Sequence, residues 1–308
     1  MRSMDKNVRK TFDLFEDLYT EGSDFGGLKV FTGFSDLDSH ISGLHLGDLV
    51  AVIGEAGSGK TAFLLNVALN IADQSKRKVL FYSLQYPIAQ LVMRMICIKG
   101  QTSYYDIIRG YVLLEDYHKM TSAACNLLKA PLLIQDGAME DVDCMLRNIR
   151  LRLKKLREVK LVIIDSIDMF AGVDMVQYAE CLRKLKAAAV DMNVPILVSA
   201  YIPNKRTKKT RKANPSQDRL QAIEIYADTV LHIRTESGSL LARYNDVYKE
   251  IEGNPDREYI LPYVPEIFMA VKTEIAIIKN TYGPKGSIFL TFVPRQFTFE
   301  ENEMESHD

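Results

Sequence analysis

The sequence predicts an α/β fold, with a mainly parallel central sheet and helices on both faces. Three observations predict it. Short apolar runs suited to buried strands alternate with longer stretches in helical period from Asp48 to Tyr201. Strands separated by helices pair in parallel. A glycine-rich turn, Gly54-Glu55-Ala56-Gly57-Ser58-Gly59-Lys60-Thr61, lies between the first of these strands and the helix after it.

Taken in order, residues 5–20 read as an amphipathic helix, with Val8, Phe12, Phe15 and Tyr19 at helical spacing. Its apolar stripe has no core of its own, so it packs on the main domain or on another subunit. Glu21–Leu28 carries three glycines and breaks the pattern. Strands are expected over Asp48–Gly54, Lys78–Leu84, Pro131–Gln135, Leu161–Asp165 and Pro195–Tyr201. Helices are expected from the phosphate-type loop to about Asp73, from about Pro87, over residues 142–156 and over Val176–Met192. Pro87 is assigned to the first helical turn, where its missing N–H does no harm. The helix over 142–156 has an Arg- and Lys-rich outer face, read as a solvated surface. Strands then dominate, at Asp228–Arg234, Met269–Lys279 and Ser287–Val293, extending the sheet at one edge. Ser237–Pro265 is polar, Tyr-rich and without period. The resulting organisation is a linker-like segment over 1–30, one domain over 31–300 and a polar tail over 301–308.

The 308 residues allow one large domain with a buried core. No apolar run approaches the ~20 residues of a membrane span, so no membrane partner is expected. The charged start, Met1–Lys10, is unlike a signal peptide. Lys+Arg (39) nearly balances Asp+Glu (40), so net charge points to no partner class and local clusters matter more. Cys97, Cys125, Cys144 and Cys181 form no C-x-x-C pair and no zinc spacing. They read as small core residues of a cytoplasmic protein.

Gly54–Thr61 fits G-x-x-x-x-G-K-[ST] in full, with a strand before it and a helix after it. Backbone N–H groups of such a loop surround phosphates, and the helix start adds a positive field. ATP is the expected cofactor. Lys60 is expected on the β- and γ-phosphates and the Thr61 hydroxyl on Mg²⁺. Leu161-Val-Ile-Ile-Asp165 reads as the matching buried strand, with Asp165 at its carboxyl end as the second holder of Mg²⁺.

Several segments resemble one family. Phe31-Thr-Gly-Phe-Ser-Asp-Leu-Asp38 and Gly43-Leu-His-Leu-Gly47-Asp-Leu resemble the entry to RecA-like domains, as in RadA, KaiC and the DnaB-type replicative helicases. Val79–Leu84 with Pro87 and Gln90-Leu-Val-Met-Arg94-Met is similar to the DnaB-type second strand and helix. Ala130–Asp136, Leu185-Lys-Ala-Ala-Ala with Asn193-Val-Pro195, Glu274-Ile, Lys279, Gly283-Pro284, Gly286, Leu290-Thr-Phe292 and Phe299-Glu300 continue the series to about residue 300. The resemblance implies a RecA-like P-loop NTPase that assembles as a ring, usually a hexamer, with ATP at subunit interfaces and single-stranded DNA in the channel. Residues 5–20 stand where the family's linker helix packs on the neighbouring subunit.

The chain departs from that pattern where catalysis is carried. The family's catalytic glutamate after the second strand is Gln85 here, which holds a water but accepts no proton. Lys279 matches the lysine that the family supplies to the neighbouring site, but Thr281 stands at the arginine finger. Ala200 replaces a nucleotide-sensing glutamine, the segment Ser166–Met175 is short, and only about thirty residues stand where the family has a collar domain. Glu55 and Asp168 are alternative carboxylates near the phosphates, or an exposed side chain and a turn cap respectively. Lys205, Arg206, Lys208, Lys209, Arg211 and Lys212 carry six charges in eight residues, where the family has a channel loop. They are candidates for single-stranded DNA phosphates, or form a solvated loop. The leading expectation is a DnaB-like ATPase with weakened hydrolysis. An ATP-dependent oligomeric binding module or loader-like protein, and a RadA- or KaiC-like ATPase, stay open.

Overall fold

In a computed structural model, the described residues are 29–75, 77–136, 141–156, 158–171, 174–202, 215–235 and 270–301. The predicted helix over 5–20, the basic run 205–212, the segment 237–265 and the tail lie outside them.

The parallel strands are β3 (Leu49–Gly54), β4 (Lys78–Ser83), β5 (Leu132–Asp136), β6 (Val159–Asp165), β7 (Ile196–Tyr201) and β8 (Thr229–Thr235). Three antiparallel strands follow: β9 (Val271–Asn280), β10 (Gly286–Val293) and β11 (Thr298–Glu301). The sheet order is β11-β10-β9-β8-β3-β7-β6-β4-β5. The late strands therefore extend one edge, as the sequence predicts. A separate two-stranded ribbon pairs β1 (Lys29–Val30) with β2 (Leu44–His45) around α1 (Ser35–Ile41). The eight strands expected from the sequence begin and end within two residues of the observed limits, whereas β1, β2 and β11 are not among those expected.

β3 and β6 are buried along nearly their whole length, because helices cover both faces. One face packs on α2 (Lys60–Ser75) and α3 (Ile88–Gly100), with Phe63, Leu65, Leu91 and Met95 against Val52, Phe81 and Ile163. The other packs on α6 (Val142–Lys155), α8 (Met175–Met192) and α9 (Pro215–Tyr226), with Met145, Leu182 and Ile223 against Ile53, Ile164 and Val198. A single turn, α7 (Asp168–Ala171), follows β6. Pro87 is the N-cap of α3 with extended ψ (148°), one position before the first turn expected for it. Arg150 on the basic face of α6 pairs with Asp191 at 3.2 Å.

Between α3 and β5 the chain forms α4 (Tyr104–Ile108) and α5 (Leu114–Leu127), which the periodicity does not announce. α5 buries only Ala123, so it has no core-facing stripe to read. Cys97 and Cys181 are buried, and burial pushes their thiols up to about 11 and about 12. Cys144 is half-buried, and Cys125 is exposed on α5. The core reading fails for Cys125 because that helix packs through so little of its surface. No helix of the described residues is long and apolar enough to cross a membrane.

Candidate nucleotide site

The loop Gly54–Gly59 joins β3 to α2 at the carboxyl edge of the parallel strands. Its glycines are dictated by close approach. A Cβ on Gly54 would lie 2.5 Å from the Ser58 Oγ and 3.0 Å from the Ile233 carbonyl. Gly59 has φ +92°, and a Cβ there would press on the Phe299 ring at 3.1 Å. The Lys60 ammonium donates to the Gly54 and Glu55 carbonyls at 3.1 and 2.7 Å. Burial lowers its pKa, opposed by Asp165, Asp168 and Glu55.

Asp165 ends β6 and is fully buried. It accepts from the Thr61 hydroxyl at 2.8 Å and from the Ser199 hydroxyl. Burial raises its pKa, and those hydroxyls, Lys60 and Arg94 pull it back down. The residues predicted to bind phosphate and cation are thus brought together. Two observations test the fit of a phosphate group and its cation. The buried Ser58 Oγ has no hydrogen-bond partner, and the loop forms a cradle that a Cβ at Gly54 or Gly59 would fill. The donor set suits Mg²⁺, which is held by one or two carboxylates or hydroxyls together with substrate phosphates. Among the described residues no group of three His, Cys, Asp or Glu forms a metal cage. The residues fit ATP with Mg²⁺.

Gln85 lies just past β4, whose Ser83 pairs with Asp165 across the sheet. The Leu84 N–H donates to the Asp165 carbonyl at 2.7 Å. Gln85 is exposed one residue past that bond, and among the described residues its amide meets only the Tyr86 hydroxyl, at 3.5 Å. Sequence reasoning gives Arg94 no role beyond its place in the family pattern. Its guanidinium stacks over Tyr86 (4.2 Å) and Phe297 (4.8 Å), and its Nε is buried without a partner. The lone arginine inside an apolar helix, Val92-Met-Arg94-Met-Ile, is the signal that could have found it.

Asp168 does more than cap a turn. It accepts from the Ser166 hydroxyl (2.5 Å), the Tyr201 N–H (2.8 Å) and Arg219 (3.3 Å). Glu55 is half-buried rather than exposed. It lines a cavity of about 860 Å³ with His232, Arg234 and Glu224. Ala200 is buried in the α8–α9 side of the core.

Lys279 is not brought to this loop. It pairs with Val230, in a row three residues from Gly54 along β3, about 10 Å at ~3.3 Å per residue. Its ammonium donates to the Glu224 and Ala227 carbonyls at 2.7 and 2.5 Å. Thr281 lies further toward the opposite edge, and its N–H and hydroxyl both donate to the Asp228 carbonyl. There the Tyr282 hydroxyl donates to Asp48 (2.8 Å), and Lys186 joins Asp48 to Asp228.

Comparison with known proteins places this geometry. A family model described as DnaB-like helicase C terminal domain matches residues 29–301. The chain is 28% identical over 300 residues to the replicative DNA helicase DnaB of Geobacillus stearothermophilus, covering 94% of this chain and 60% of the relative. It is 28% identical over 307 residues to the replicative DNA helicase DnaC of Bacillus subtilis (strain 168), covering 97% and 62%. The chain therefore spans about three fifths of the length of these curated relatives. A solved structure described as an ATPase domain superposes with a TM-score of 0.73 at 21% identity, over 96% of this chain and 98% of that one. A DnaB-like replicative helicase, solved in a study of its interactions with primase, gives 0.71 at 20% identity, over 97% and 67%. The fold is that of these RecA-like ATPase domains, and the chain belongs to the DnaB-like helicase C-terminal domain family.

Proposed function

We propose that this chain binds ATP with Mg²⁺ and acts as a DnaB-like motor ring on single-stranded DNA in the cytoplasm, with weakened hydrolysis. One observation carries the reading: the phosphate loop, Thr61 and Asp165 converge at one edge of the sheet, with the Ser58 hydroxyl left unpartnered. Lys60 exchanges its two loop carbonyls for the β- and γ-phosphates. Mg²⁺ supplies charge neutralisation on the phosphate oxygens, with Thr61 and Asp165 as its protein holders. Ser199 keeps Asp165 oriented, and Arg94 sets a fixed positive charge near it. Gln85 orients the attacking water without taking its proton.

Two observations support assembly. Lys279 and Thr281 lie away from the loop of their own chain, which is compatible with the role in a neighbour's site that the resemblance implies for these positions. Leu113 and Leu114 are 71% and 74% exposed beside Ile108, Tyr111 and Tyr117, a patch of the kind that marks a protein contact. The apolar stripe of residues 5–20 from a second copy matches it in chemistry. The six cations of 205–212 suit the backbone of a single strand.

A second reading, an ATP-held oligomeric binding module or loader with little turnover, is favoured by Gln85 and by the tied-back Thr281. The family assignment leaves no place for the RadA- or KaiC-like reading. Steady-state ATP hydrolysis with and without single-stranded DNA, alongside particle size with and without ATP, separates the two that remain. A ring with DNA-stimulated turnover supports the motor. A ring that binds ATP with no stimulated turnover supports the module. A monomer under all conditions contradicts both.

A further inference from the structure

The turn between β9 and β10 is pinned by its own side chains and by its neighbours. The Asn280 side chain donates to the His40 and Pro284 carbonyls at 3.1 and 3.2 Å and accepts the Tyr282 N–H at 3.1 Å. The Tyr282 ring packs on His45, with centroids 3.8 Å apart, and its hydroxyl reaches the buried Asp48. Gly283 permits the closure: a Cβ there would lie 2.9 Å from the Asn280 Nδ2 and 3.2 Å from the His40 carbonyl oxygen. A turn held in this way has little freedom to lose on binding, so what it presents is preorganised.

It presents a free cation. Lys186 is paired with Asp228, and Lys279 is tied to two carbonyls. Lys285 is exposed, and among the described residues neither a hydrogen bond nor an ion pair holds it. It lines a cavity with Glu224, whose carbonyl is one of the two that hold Lys279. The two lysines are thus gathered about one residue. The phosphate loop of the same chain lies well away. Gly286 pairs with Ile277, Ile277 with Leu231 and Leu231 with Val52, so the start of β10 stands three strands from β3, about 14 Å at ~4.8 Å per strand.

We propose that Lys285 is a catalytic residue acting in trans: its ammonium faces the γ-phosphate of ATP held by the phosphate loop of a second copy, and replaces part of the charge that Thr281 lacks. The proposal rests on the reading that ATP occupies that loop and that this edge serves a neighbour's site. In the reaction a water oxygen bonds to the γ-phosphorus, the bond to the bridging oxygen of ADP breaks, and the water's proton passes to the released phosphate. A fixed cation stabilises the charge on the oxygens of the phosphoryl group in transit. Lysine is a point charge without the planar fork of arginine, so the replacement is partial. Turnover is then slow rather than absent.

Two readouts on the assembled protein test it. Single-turnover ATP hydrolysis falls about tenfold or more in Lys285→Ala, toward the ~10²–10³ typical of a lost transition-state donor. Affinity for ADP with aluminium fluoride, a mimic of the phosphoryl group in transit, falls by a similar factor, while ADP alone binds within about threefold of the parent. Lys272→Ala removes an exposed cation at the far end of β9 and moves neither readout. Lys60→Ala, with an impaired loop and an intact Lys285, is then co-assembled with Lys285→Ala. In an equal random mixture about a quarter of the loops are intact and face a Lys285, so turnover rises to about a quarter of the parent rate, above that of either variant alone. An unchanged rate in Lys285→Ala, an equal loss in Lys272→Ala, or a loss that mixing does not restore overturns the assignment. A parent that neither assembles nor hydrolyses ATP in a single turnover is a separate result, seen without any variant. It removes the underlying reading, and the role of Lys285 with it.

Discussion

At the carboxyl edge of the parallel strands, polar groups converge on an open loop. At the opposite edge they pair with one another. Ser58 has no partner and Lys60 rests on carbonyls it can leave, whereas Asp48, Lys186, Asp228 and Tyr282 are mutually engaged and hold Thr281 and its turn in place. The first edge is built to receive a ligand. The second is built to present a rigid surface. On the proposed reading, the binding groups and the positions meant for a neighbour's loop lie on opposite edges, an arrangement that calls for adjacent copies.

The largest effect should come from the open edge. Lys60→Ala removes the ammonium that rests on the loop carbonyls, and ATP should bind on the order of a hundredfold more weakly, given ~1.5–3 kcal/mol for each charged hydrogen bond. Calorimetric titration checks this; unchanged affinity in a folded variant would show that the loop is not the phosphate site.

Assembly sharpens the comparison next. Leu113→Ser with Leu114→Ser should weaken self-association about tenfold or more while ATP affinity per chain holds, since two apolar side chains of ~1.5–3 kcal/mol each leave the contact. Deleting residues 1–20 should do the same. Light scattering over a concentration series reads both, and unaltered size in both would place the helix on its own chain.

The smallest effect separates the edges by pH. Burial pushes Asp48 up to about 6, so the folded state holds a proton that the unfolded state has released. This stabilisation is present below about pH 4 and is lost as pH rises through about 6. Burial lowers His232 to about 4, which gives the reverse sign: stability is present above pH 6.5 and lost as pH falls toward 4. Asp48→Asn should therefore gain relative to the parent as pH rises from 5 to 7. His232→Gln should gain relative to the parent as pH falls from 6.5 to 5. The differences amount to a few degrees in melting temperature, about 2–4 °C per kcal/mol for a chain of this size. A variant-minus-parent difference that is flat with pH for either one would remove that group from the account.

The open edge was legible in the sequence because a phosphate loop needs fixed residue types at fixed spacing. The buried strands were legible because helices on both faces leave them uniformly apolar. What hid was of two kinds. α4 and α5 bury too little to show a period, so their exposed apolar surface and Cys125 were misplaced or missed. Contacts across the fold also escaped, as with Arg94 between the Tyr86 and Phe297 rings and Asp168 between Tyr201 and Arg219, because they depend on which distant segments the sheet order brings together.

The central claim is that a complete phosphate-binding loop is served by catalytic positions without their charges, Gln85 at the same edge lacking the carboxylate and Thr281 at the opposite edge lacking the guanidinium. Single-turnover ATP hydrolysis by the parent, Gln85→Glu, Thr281→Arg and the double variant, at matched oligomeric size, tests it most directly. The account predicts slow turnover in the parent, a gain in Gln85→Glu, where the carboxylate is restored, and a further gain when Thr281→Arg is added. An arginine finger alone is worth on the order of 10³–10⁵ in rate where its geometry is right. The two gains should be non-additive, because both act on one transition state. Fast DNA-stimulated turnover in the parent, or no gain in any variant, would contradict it.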